Sequence, residues 1–288
     1  MFVREALAQG STDLKFADIK TPGLDASLLL AHILKTNRTS LIAAGNNKMS
    51  EKACAAYCEL IERRANGECV AYLIGKKEFM GLEFTVNKSV LVPRPDTETL
   101  VEAAIEILSA DLRGEEIKVL DMCTGSGAVA ISLKHEVPEL EVYATDICPN
   151  ALKTAKQNAE KLLGKNQIQF FHGDLFSALP STLKTTHYSL IVSNPPYVSS
   201  DEIKTLSAEV QNEPLLALDG GSCGLDIIER IIEEAPNYLQ KGGFLLLEAD
   251  PRQMQTIKTL LEKKGFKDIK LFNDLAGNER VISGKHEE

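Results

Sequence analysis

The spacing of apolar and polar positions differs between the first and the second part of the chain. From residue 1 to about residue 74, apolar side chains recur every three or four positions, as at Leu24, Leu28 and Ala31, which is the spacing of one helix face. Ser50 precedes another run of this kind and belongs to the residue types that cap helices. From residue 117 onward, short β-branched runs alternate with helical patterns. These two patterns predict a small all-helical domain followed by an α/β domain.

The alternation beyond residue 117 predicts seven strands with helices between most of them. The predicted strands are 117–121, 141–146, 167–172, 188–193, 243–249, 267–272 and 280–283, and the predicted helices are 128–136, 150–163, 225–239 and 254–264. Helical connections join parallel strands, whereas only a short turn around 274–278 separates the last two strands. We therefore expect a doubly wound, Rossmann-like sheet of seven strands with an antiparallel last strand.

A short β-hairpin is predicted between the two domains. Strand patterns at 78–86 and 89–92 flank Asn87 and Lys88, which favour a tight turn. Pro93 then ends the second strand, and the residues after it can cap a helix. This division gives an N-terminal helical domain at 1–76, a β-hairpin linker at 77–92 and a larger domain at 93–284.

Composition narrows the class of protein. The chain is 44% hydrophobic, enough for a globular core, and no run approaches the roughly 18 apolar residues of a membrane span. The first residues lack the apolar segment of a signal peptide, so we expect a cytoplasmic protein that binds no membrane. Six cysteines form no CxxC pair and five histidines form no ligand cluster, so no metal site is predicted.

Charge is distributed unevenly within a net value of −9. Residues 1–77 hold 11 Lys and Arg against 8 Asp and Glu, whereas the remainder holds 21 against 33. Proteins bind long nucleic acids chiefly by neutralising phosphates. The acidic remainder therefore argues against direct binding of nucleic acid and favours another kind of partner. Separately, we expect the protein to be a monomer.

A glycine-rich loop, Cys123-Thr124-Gly125-Ser126-Gly127, follows Asp121 at the end of the first strand of the sheet. Gly125 and Gly127 allow close approach of the backbone to a ligand, and they fit the G-x-G-x-x-A form of a dinucleotide fingerprint. An NAD(P)-dependent oxidoreductase is therefore one alternative. However, the Asp121 carboxylate would repel a pyrophosphate and attract the ammonium group of an amino acid, which favours S-adenosylmethionine.

Two further carboxylates are expected at the same sheet edge. Asp146 ends the second strand, and its carboxylate could accept both hydroxyls of a ribose. Asp174 follows the third strand, where it and the next side chain could hold an adenine. Each aspartate alone could be a helix cap. Three at successive strand ends suit S-adenosylmethionine.

The fourth strand leads into Asn194-Pro195-Pro196-Tyr197. Proline cannot donate to a sheet ladder, so the strand ends there and Asn194 lies at the carboxyl edge, where ligands bind in open α/β sheets.

This tetrapeptide resembles the (Asp/Asn/Ser)-Pro-Pro-Tyr motif of class I methyltransferases that act on planar, weakly nucleophilic nitrogens. With its flanking stretches, nearly the whole chain resembles the protein-(glutamine-N5) methyltransferase family. The supporting stretches are 70–75, 78–79, 91–98, 193–198, 213–214, 217–221 and 274–277. The resemblance implies a class I methyltransferase fold, S-adenosylmethionine as cofactor, and class 1 peptide-chain release factors as substrates, methylated on the glutamine of their Gly-Gly-Gln motif.

The resemblance also implies roles for individual residues. The expected catalytic residues are Asn194, Pro195 and Tyr197. The nitrogen of a glutamine amide is a weak nucleophile because resonance occupies its lone pair. The Asn194 side-chain oxygen and the Pro195 carbonyl can accept its N–H groups and favour a more tetrahedral nitrogen. Tyr197 would flank the flat amide and present its π face to a sulfonium methyl group. The expected cofactor-binding residues are Asp121, Cys123, Thr124, Gly125, Ser126, Gly127, Asp146, Asp174, Leu175 and Asn194. The expected substrate-binding residues are Asn194, Pro195, Pro196, Tyr197, Arg94 and Glu98, although Arg94 and Glu98 could instead cap a helix and brace the loop.

Four positions depart from the family pattern. Cys123 replaces a frequent glycine, Leu175 stands where an aromatic ring could stack on adenine, Cys223 replaces an acidic residue, and Asp250 ends a segment that is usually Glu-Ile-Gly. These departures bear on cofactor affinity more than on reaction type. A nucleic-acid adenine N6-methyltransferase and a non-catalytic S-adenosylmethionine-binding module remain alternatives. The lack of a basic target-reading domain argues against the first, and the intact tetrapeptide argues against the second.

Overall fold

The computed structural model describes residues 1–110, 112 and 116–287. The chain divides into two compact units, Met1–Lys76 with Ser207–Asn212, and Lys77–Leu206 with Glu213–Glu288. Within the described ranges, no helix is both long enough and apolar enough to cross a membrane.

Twelve α-helices and nine strands make up the described regular structure, apart from short 3-10 turns. The helices are α1 Val3–Phe16, α2 Pro22–Ile33, α3 Arg38–Ala43, α4 Glu51–Ala65, α5 Val70–Ile74, α6 Glu98–Ala110, α7 Ala128–Glu136, α8 Pro149–Leu162, α9 Ser200–Ile203, α10 Ala208–Gln211, α11 Asp226–Glu234 and α12 Met254–Lys263. The strands are β1 Lys76–Phe79, β2 Leu82–Thr85, β3 Lys118–Met122, β4 Glu141–Asp146, β5 Ile168–His172, β6 Tyr188–Ser193, β7 Leu239–Glu248, β8 Lys267–Asn273 and β9 Glu279–Lys285.

The first unit packs α1, α2 and α4 around an apolar core. Ser50 caps α4 as predicted, since its hydroxyl accepts a hydrogen bond from the Ala53 N–H at 3.2 Å. Tyr57 is buried in this core and donates its hydroxyl to the Ala26 carbonyl at 3.3 Å. A side chain at Gly10 would collide with the Tyr57 hydroxyl, so glycine allows α1 and α4 to approach closely.

A buried charge network also holds this unit together. Arg64 is only 5% exposed; its Nε lies 2.7 Å from an Asp25 oxygen, and its second terminal nitrogen lies 3.0 Å from Glu209. Thr21 donates its hydroxyl to the other Asp25 oxygen at 2.8 Å. Glu209 belongs to α10, so the network explains why this helix associates with the first unit rather than with its sequence neighbours.

The second unit contains a seven-stranded sheet in the order β5-β4-β3-β6-β7-β9-β8. Strand β9 runs antiparallel to both of its neighbours, and the other pairings are parallel, which confirms the predicted topology. Strand order reverses between β3 and β6. In doubly wound sheets a crevice opens at the carboxyl ends of the strands at such a point.

Apolar layers cover both faces of the sheet. Along β6, Leu190 and Val192 pack into a buried cluster with residues of α6 and α7, whereas Ile191 packs with residues of α11 and α12. Each β6 residue is buried. A strand covered on both faces explains the continuous apolar run in the sequence.

The hairpin turns at a different place from the one predicted. Strands β1 and β2 meet at Met80 and Gly81, and residues 89–92 do not form a strand. Both turn residues have positive φ, 48° and 70°, as a two-residue hairpin turn requires. Methionine seldom adopts this conformation, so the sequence around Asn87 looked more favourable for a turn than the true site.

Helix α11 ends earlier than predicted. It stops at Glu234, a 3-10 turn follows at Ala235–Asn237, and Leu239 already belongs to β7. Pro236 explains this end, because proline lacks the N–H that a continuing helix would use.

The buried ion pairs of Arg64 should stabilise the protein far more than the exposed ion pair of its neighbour Arg63. Replacing Arg64 with Met leaves the Asp25 carboxylate buried without its cation and should lower the free energy of unfolding by about 3 kcal/mol. Arg63 pairs with Glu68 but is 43% exposed, so Arg63→Met should lower it by less than about 1 kcal/mol. Urea titrations followed by circular dichroism measure both. Equal losses of unfolding free energy in the two variants would contradict the stabilising role of the Arg64 network.

Candidate active site

A cavity of about 240 Å³ lies within the second unit, where β3, β4 and β6 end. It brings together most of the residues predicted from the sequence. Those that line it are Arg94, Asp121, Cys123, Thr124, Gly125, Ser126, Asp146, Asp174, Leu175, Asn194 and Pro196. Four predicted residues, Glu98, Gly127, Pro195 and Tyr197, are not among the lining residues.

The glycine loop leaves β3 in a left-handed conformation. Cys123, Gly125 and Gly127 have φ values of 59°, 56° and 81°. A side chain at Gly127 would lie 2.9 Å from Ile131 in α7, so this glycine permits close packing rather than contact with the cavity. Cys123 adopts its conformation without the freedom of a glycine, which places local backbone strain at the cavity wall.

Asp121 is the most buried carboxyl group of the cavity. It is 1% exposed, and its Oδ2 accepts hydrogen bonds from the Thr124 hydroxyl at 2.6 Å and the Ala130 N–H at 3.2 Å. Its Oδ1 receives no donor from the residues that the structure describes. Burial raises the pKa of Asp121 to about 7, although both hydrogen bonds favour the charged form. Asp121 lines the cavity, so a cation bound there would favour the charged form of this carboxyl group.

Asp146 holds the glycine loop from the neighbouring strand. Its Oδ2 accepts from the Gly125 N–H, and its Oδ1 accepts from the Cys148 N–H, both at 2.8 Å. Burial raises the pKa of this carboxyl, and the backbone donors oppose the increase. Each carboxylate oxygen can accept more than one hydrogen bond, so this supporting role leaves room for a ligand hydroxyl.

Asp174 and Leu175 form another side of the cavity. Asp174 pairs with Arg230 of α11 at 2.6 Å, and Arg230 lines the cavity as well. Leu175 has a φ of 46° and is buried in the cluster beneath the sheet. Arg230 lies 56 positions from Asp174 along the chain, so its place beside Asp174 was not predictable from the sequence.

Asn194 lies directly after β6, as predicted. Its Nδ2 donates a hydrogen bond to the Thr97 hydroxyl at 3.0 Å. Within the described part of the chain, no group donates to its Oδ1 or to the Pro195 carbonyl. Both oxygens proposed as acceptors for a planar amide therefore keep their lone pairs free.

Tyr197 is anchored away from the cavity. Its hydroxyl donates to Glu248 at 3.3 Å, and its ring packs against the buried cluster around β7 and α11. Burial raises the pKa of this phenol, so it remains neutral. The predicted stacking of Tyr197 beside a substrate amide stays a prediction.

The glycine-rich stretch at 220–224 fits against the tetrapeptide. A side chain at Gly220 would lie 2.6 Å from the Pro196 carbonyl, and one at Gly224 would lie 2.2 Å from the Tyr197 carbonyl. Gln253 also donates its amide to the Tyr197 carbonyl at 3.0 Å. Close packing of this stretch therefore fixes the path of the chain after Asn194.

Arg94 and Glu98 differ in placement. Arg94 lines the cavity and forms an ion pair with the buried Glu213, which also accepts a hydrogen bond from the Val92 N–H at 3.2 Å. Glu98 instead accepts from the Met80 N–H at 2.8 Å and braces the hairpin turn. Arg94 is therefore placed to meet a ligand, and Glu98 has the bracing role that the sequence left open.

Several residues of the site escaped sequence reasoning. Glu213 and Thr97 lie in stretches that carry the family resemblance, but nothing in the sequence indicated their partners. Asn158 in α8 donates to the Ser126 carbonyl at 2.9 Å and supports the glycine loop. Glu248 lies in the segment ending at Asp250 that departs from the family pattern, but its residue type indicated no partner. These residues act through neighbours that are distant in sequence.

Comparisons with known proteins show the family to which the chain belongs. The family model described as "PrmC N-terminal domain" matches residues 5–75, and the "Methyltransferase small domain" matches residues 97–213. The release factor glutamine methyltransferase of Escherichia coli K12 is 36% identical over 99% of this chain and 98% of its own length. That of Coxiella burnetii is 42% identical over 91% of each chain. This chain belongs to the release factor glutamine methyltransferase family.

Two solved structures of methyltransferases share this fold. A methyltransferase from Pyrococcus furiosus is 20% identical, with a TM-score of 0.53, over 79% of this chain and 99% of that one. The 16S rRNA N2 G1207 methyltransferase of T. thermophilus, solved with AdoMet and guanosine, is also 20% identical, with a TM-score of 0.52, over 74% and 50%. Both confirm the class I methyltransferase fold predicted from the sequence.

The buried Asp121 should make stability depend on pH. The folded protein holds the Asp121 proton more tightly than the unfolded chain, so the stabilisation is full at acid pH and is lost as pH rises through about 7. Asn at this position is always neutral. Relative to the natural protein, Asp121→Asn should therefore gain on the order of 3 kcal/mol of unfolding free energy between pH 5 and pH 8.

Urea titrations of the unliganded protein at both pH values measure this gain. Asp219→Asn is the matched control, because hydrogen bonds from Ser200 and Gly221 lower the pKa of Asp219 and its charge is not destabilising. A pH-independent effect of Asp121→Asn would show that Asp121 is charged throughout.

Proposed function

We propose that this protein transfers a methyl group from S-adenosylmethionine to the side-chain nitrogen of the glutamine in the Gly-Gly-Gln motif of class 1 release factors. One observation carries the proposal: Asn194 and Asp121, each with one side-chain oxygen that receives no donor from the described residues, line the same cavity. Membership of the family supplies the substrate class. The acidic balance of residues 78–288 also supports a protein substrate rather than a nucleic acid.

The residues of the cavity fit S-adenosylmethionine. Asp121 offers a carboxylate oxygen to the ammonium group, and the loop at 123–126 lets the backbone approach the amino-acid moiety. Asp146 would accept the ribose hydroxyls, and Leu175 would lie against the adenine. When bound, the cofactor supplies an electrophilic methyl group on a positively charged sulfur.

Asn194 and Pro195 would prepare the glutamine for reaction. Their two oxygens accept the N–H groups of the substrate amide and favour a more tetrahedral nitrogen with an available lone pair. Pro195 and Pro196 restrict the backbone, so these acceptors are in place before the substrate arrives. Alignment of the nitrogen with the methyl group then contributes most of the rate. The methylated nitrogen is positively charged and loses its proton readily, so no dedicated base is needed.

A transfer assay tests the proposed function. The protein is incubated with methyl-labelled S-adenosylmethionine and a folded class 1 release factor. We expect label on the factor, none on a factor whose Gly-Gly-Gln glutamine is replaced by alanine, and none on DNA. Label on DNA but not on the factor would contradict the proposal and favour an adenine methyltransferase.

Asn194 is expected to act in the chemical step. Asn194→Ala removes one acceptor for the amide, so kcat should fall by about 100-fold or more. The Kd for S-adenosylmethionine, measured by isothermal titration, should change by less than about fivefold because the carboxylates remain. Asn150→Ala removes an exposed asparagine at the start of α8 and should leave kcat unchanged. Normal turnover in Asn194→Ala would remove Asn194 from the mechanism.

A further inference from the structure

One part of the cavity wall combines apolar side chains with an ion pair. Asp174, Leu175, Ile227 and Arg230 all line the cavity. Leu175 follows Asp174 in the chain, and Ile227 and Arg230 lie three positions apart on α11, which places them on one helix face. The ion pair between Asp174 and Arg230 joins these two pairs of residues. We call the four residues the α11 wall.

The ion pair holds the guanidinium group of Arg230 at this wall. Its Nη2 donates to the Asp174 Oδ2 at 2.6 Å. Both side chains are nearly half exposed, and exposed ion pairs contribute little to stability. The pair does restrict the rotation of a long side chain. Within the described part of the chain, no group donates to the Asp174 Oδ1, so one carboxylate oxygen remains available to a ligand.

Arg230 gives the α11 wall a flat group of the size of a ring. A guanidinium group is planar and delocalised, and it stacks on aromatic rings in proteins. Leu175 and Ile227 are aliphatic, and Leu175 stands where the family pattern allows an aromatic ring to stack on adenine. Arg230 therefore offers the stacking surface that Leu175 lacks.

The base of S-adenosylmethionine matches the chemistry of this wall. Adenine is flat and carries an amine on its edge, so aliphatic side chains can pack on its face and a carboxylate oxygen can accept from its amine. Bases also stack on arginine. We propose that Arg230, held by Asp174, stacks on the adenine of the cofactor in place of an aromatic residue at position 175. The inference rests on the proposed function, because it requires S-adenosylmethionine as the ligand.

Two other roles of Arg230 predict different ligand preferences. If Arg230 bound the carboxylate of the methionine moiety, only ligands with that carboxylate would depend on it. If its charge acted on the sulfonium, the two cations would repel each other, and removal of the arginine would strengthen binding of S-adenosylmethionine alone. Stacking on adenine instead predicts the same loss of affinity for every ligand that contains the base.

Three ligands separate these roles in isothermal titrations of Arg230→Met. S-adenosylmethionine carries the sulfonium, S-adenosylhomocysteine lacks that charge, and 5′-methylthioadenosine also lacks the carboxylate and the ammonium group. We expect Kd to rise about tenfold for all three ligands, which is the magnitude of a partly desolvated cation–π contact. Arg230 is exposed enough that Tm should be unchanged.

Two further variants serve as comparisons. Arg230→Lys keeps the positive charge but has no flat face, so Kd should stay at least about fivefold above that of the natural protein. Arg252→Met is the matched control, because Arg252 also forms ion pairs with carboxylates but is 69% exposed and is not among the residues that line the cavity. It should leave all three Kd values unchanged.

Unchanged affinity of Arg230→Met for S-adenosylhomocysteine would overturn the inference. So would a loss confined to the ligands with a carboxylate, or unchanged affinity in Arg230→Lys. These outcomes are distinct from failure of the proposed function. If the natural protein binds S-adenosylmethionine and Arg230→Met binds it equally well, only the contact with adenine is rejected. If the natural protein binds none of the three ligands, both the cofactor and the contact are rejected.

Discussion

The pairing of β3 with β6 is the constraint on which the site depends. Asp121 lies opposite Val192, and Met122 lies opposite Ser193, so both strands end at the same level of the sheet. The buried Ser193 hydroxyl donates to the Met122 carbonyl at 2.8 Å and fixes this register. One strand then leads into the glycine loop and the other into Asn194. A carboxylate suited to a cation and an amide suited to a substrate amide thereby line one cavity.

Polar groups hold this edge of the sheet in place, but two of them are carboxyl groups that are costly to bury. Asp121 and Glu248 are both about 1% exposed, and burial raises the pKa of each to about 7. Desolvated carboxyls of this kind lower the stability of the folded state above neutral pH. The proposed function would explain their presence, since Asp121 would bind a positively charged cofactor. Glu248 accepts a hydrogen bond from Tyr197 and so supports the loop after Asn194.

Much of the fold could be predicted because it follows from local patterns. The buried strands at 141–146 and 188–193 have the predicted ends, since Asp146 closes one apolar run and Pro195 stops the other. The hairpin turn could not be predicted, because a methionine with positive φ at residue 80 leaves no signal in the sequence. Its support comes from Glu98, which lies 18 positions away.

The site likewise contains residues that could be predicted from the sequence and residues that could not. The tetrapeptide and the carboxylates at strand ends were recognisable because their residue types indicate their chemistry. Thr97 resembles any residue that could begin a helix, and Glu248 resembles the end of a strand. Thr97 is 97 positions from Asn194, and Glu248 is 51 positions from Tyr197, so only the folded chain brings them together.

The most direct measurement is a crystal structure of the protein with S-adenosylhomocysteine and a class 1 release factor. The account predicts that the glutamine nitrogen lies within about 3.2 Å of both the Asn194 Oδ1 and the Pro195 carbonyl oxygen. The Asn194 Nδ2 should remain bonded to Thr97. A glutamine amide bound elsewhere, or an Asn194 NH₂ group turned toward it, would contradict the account.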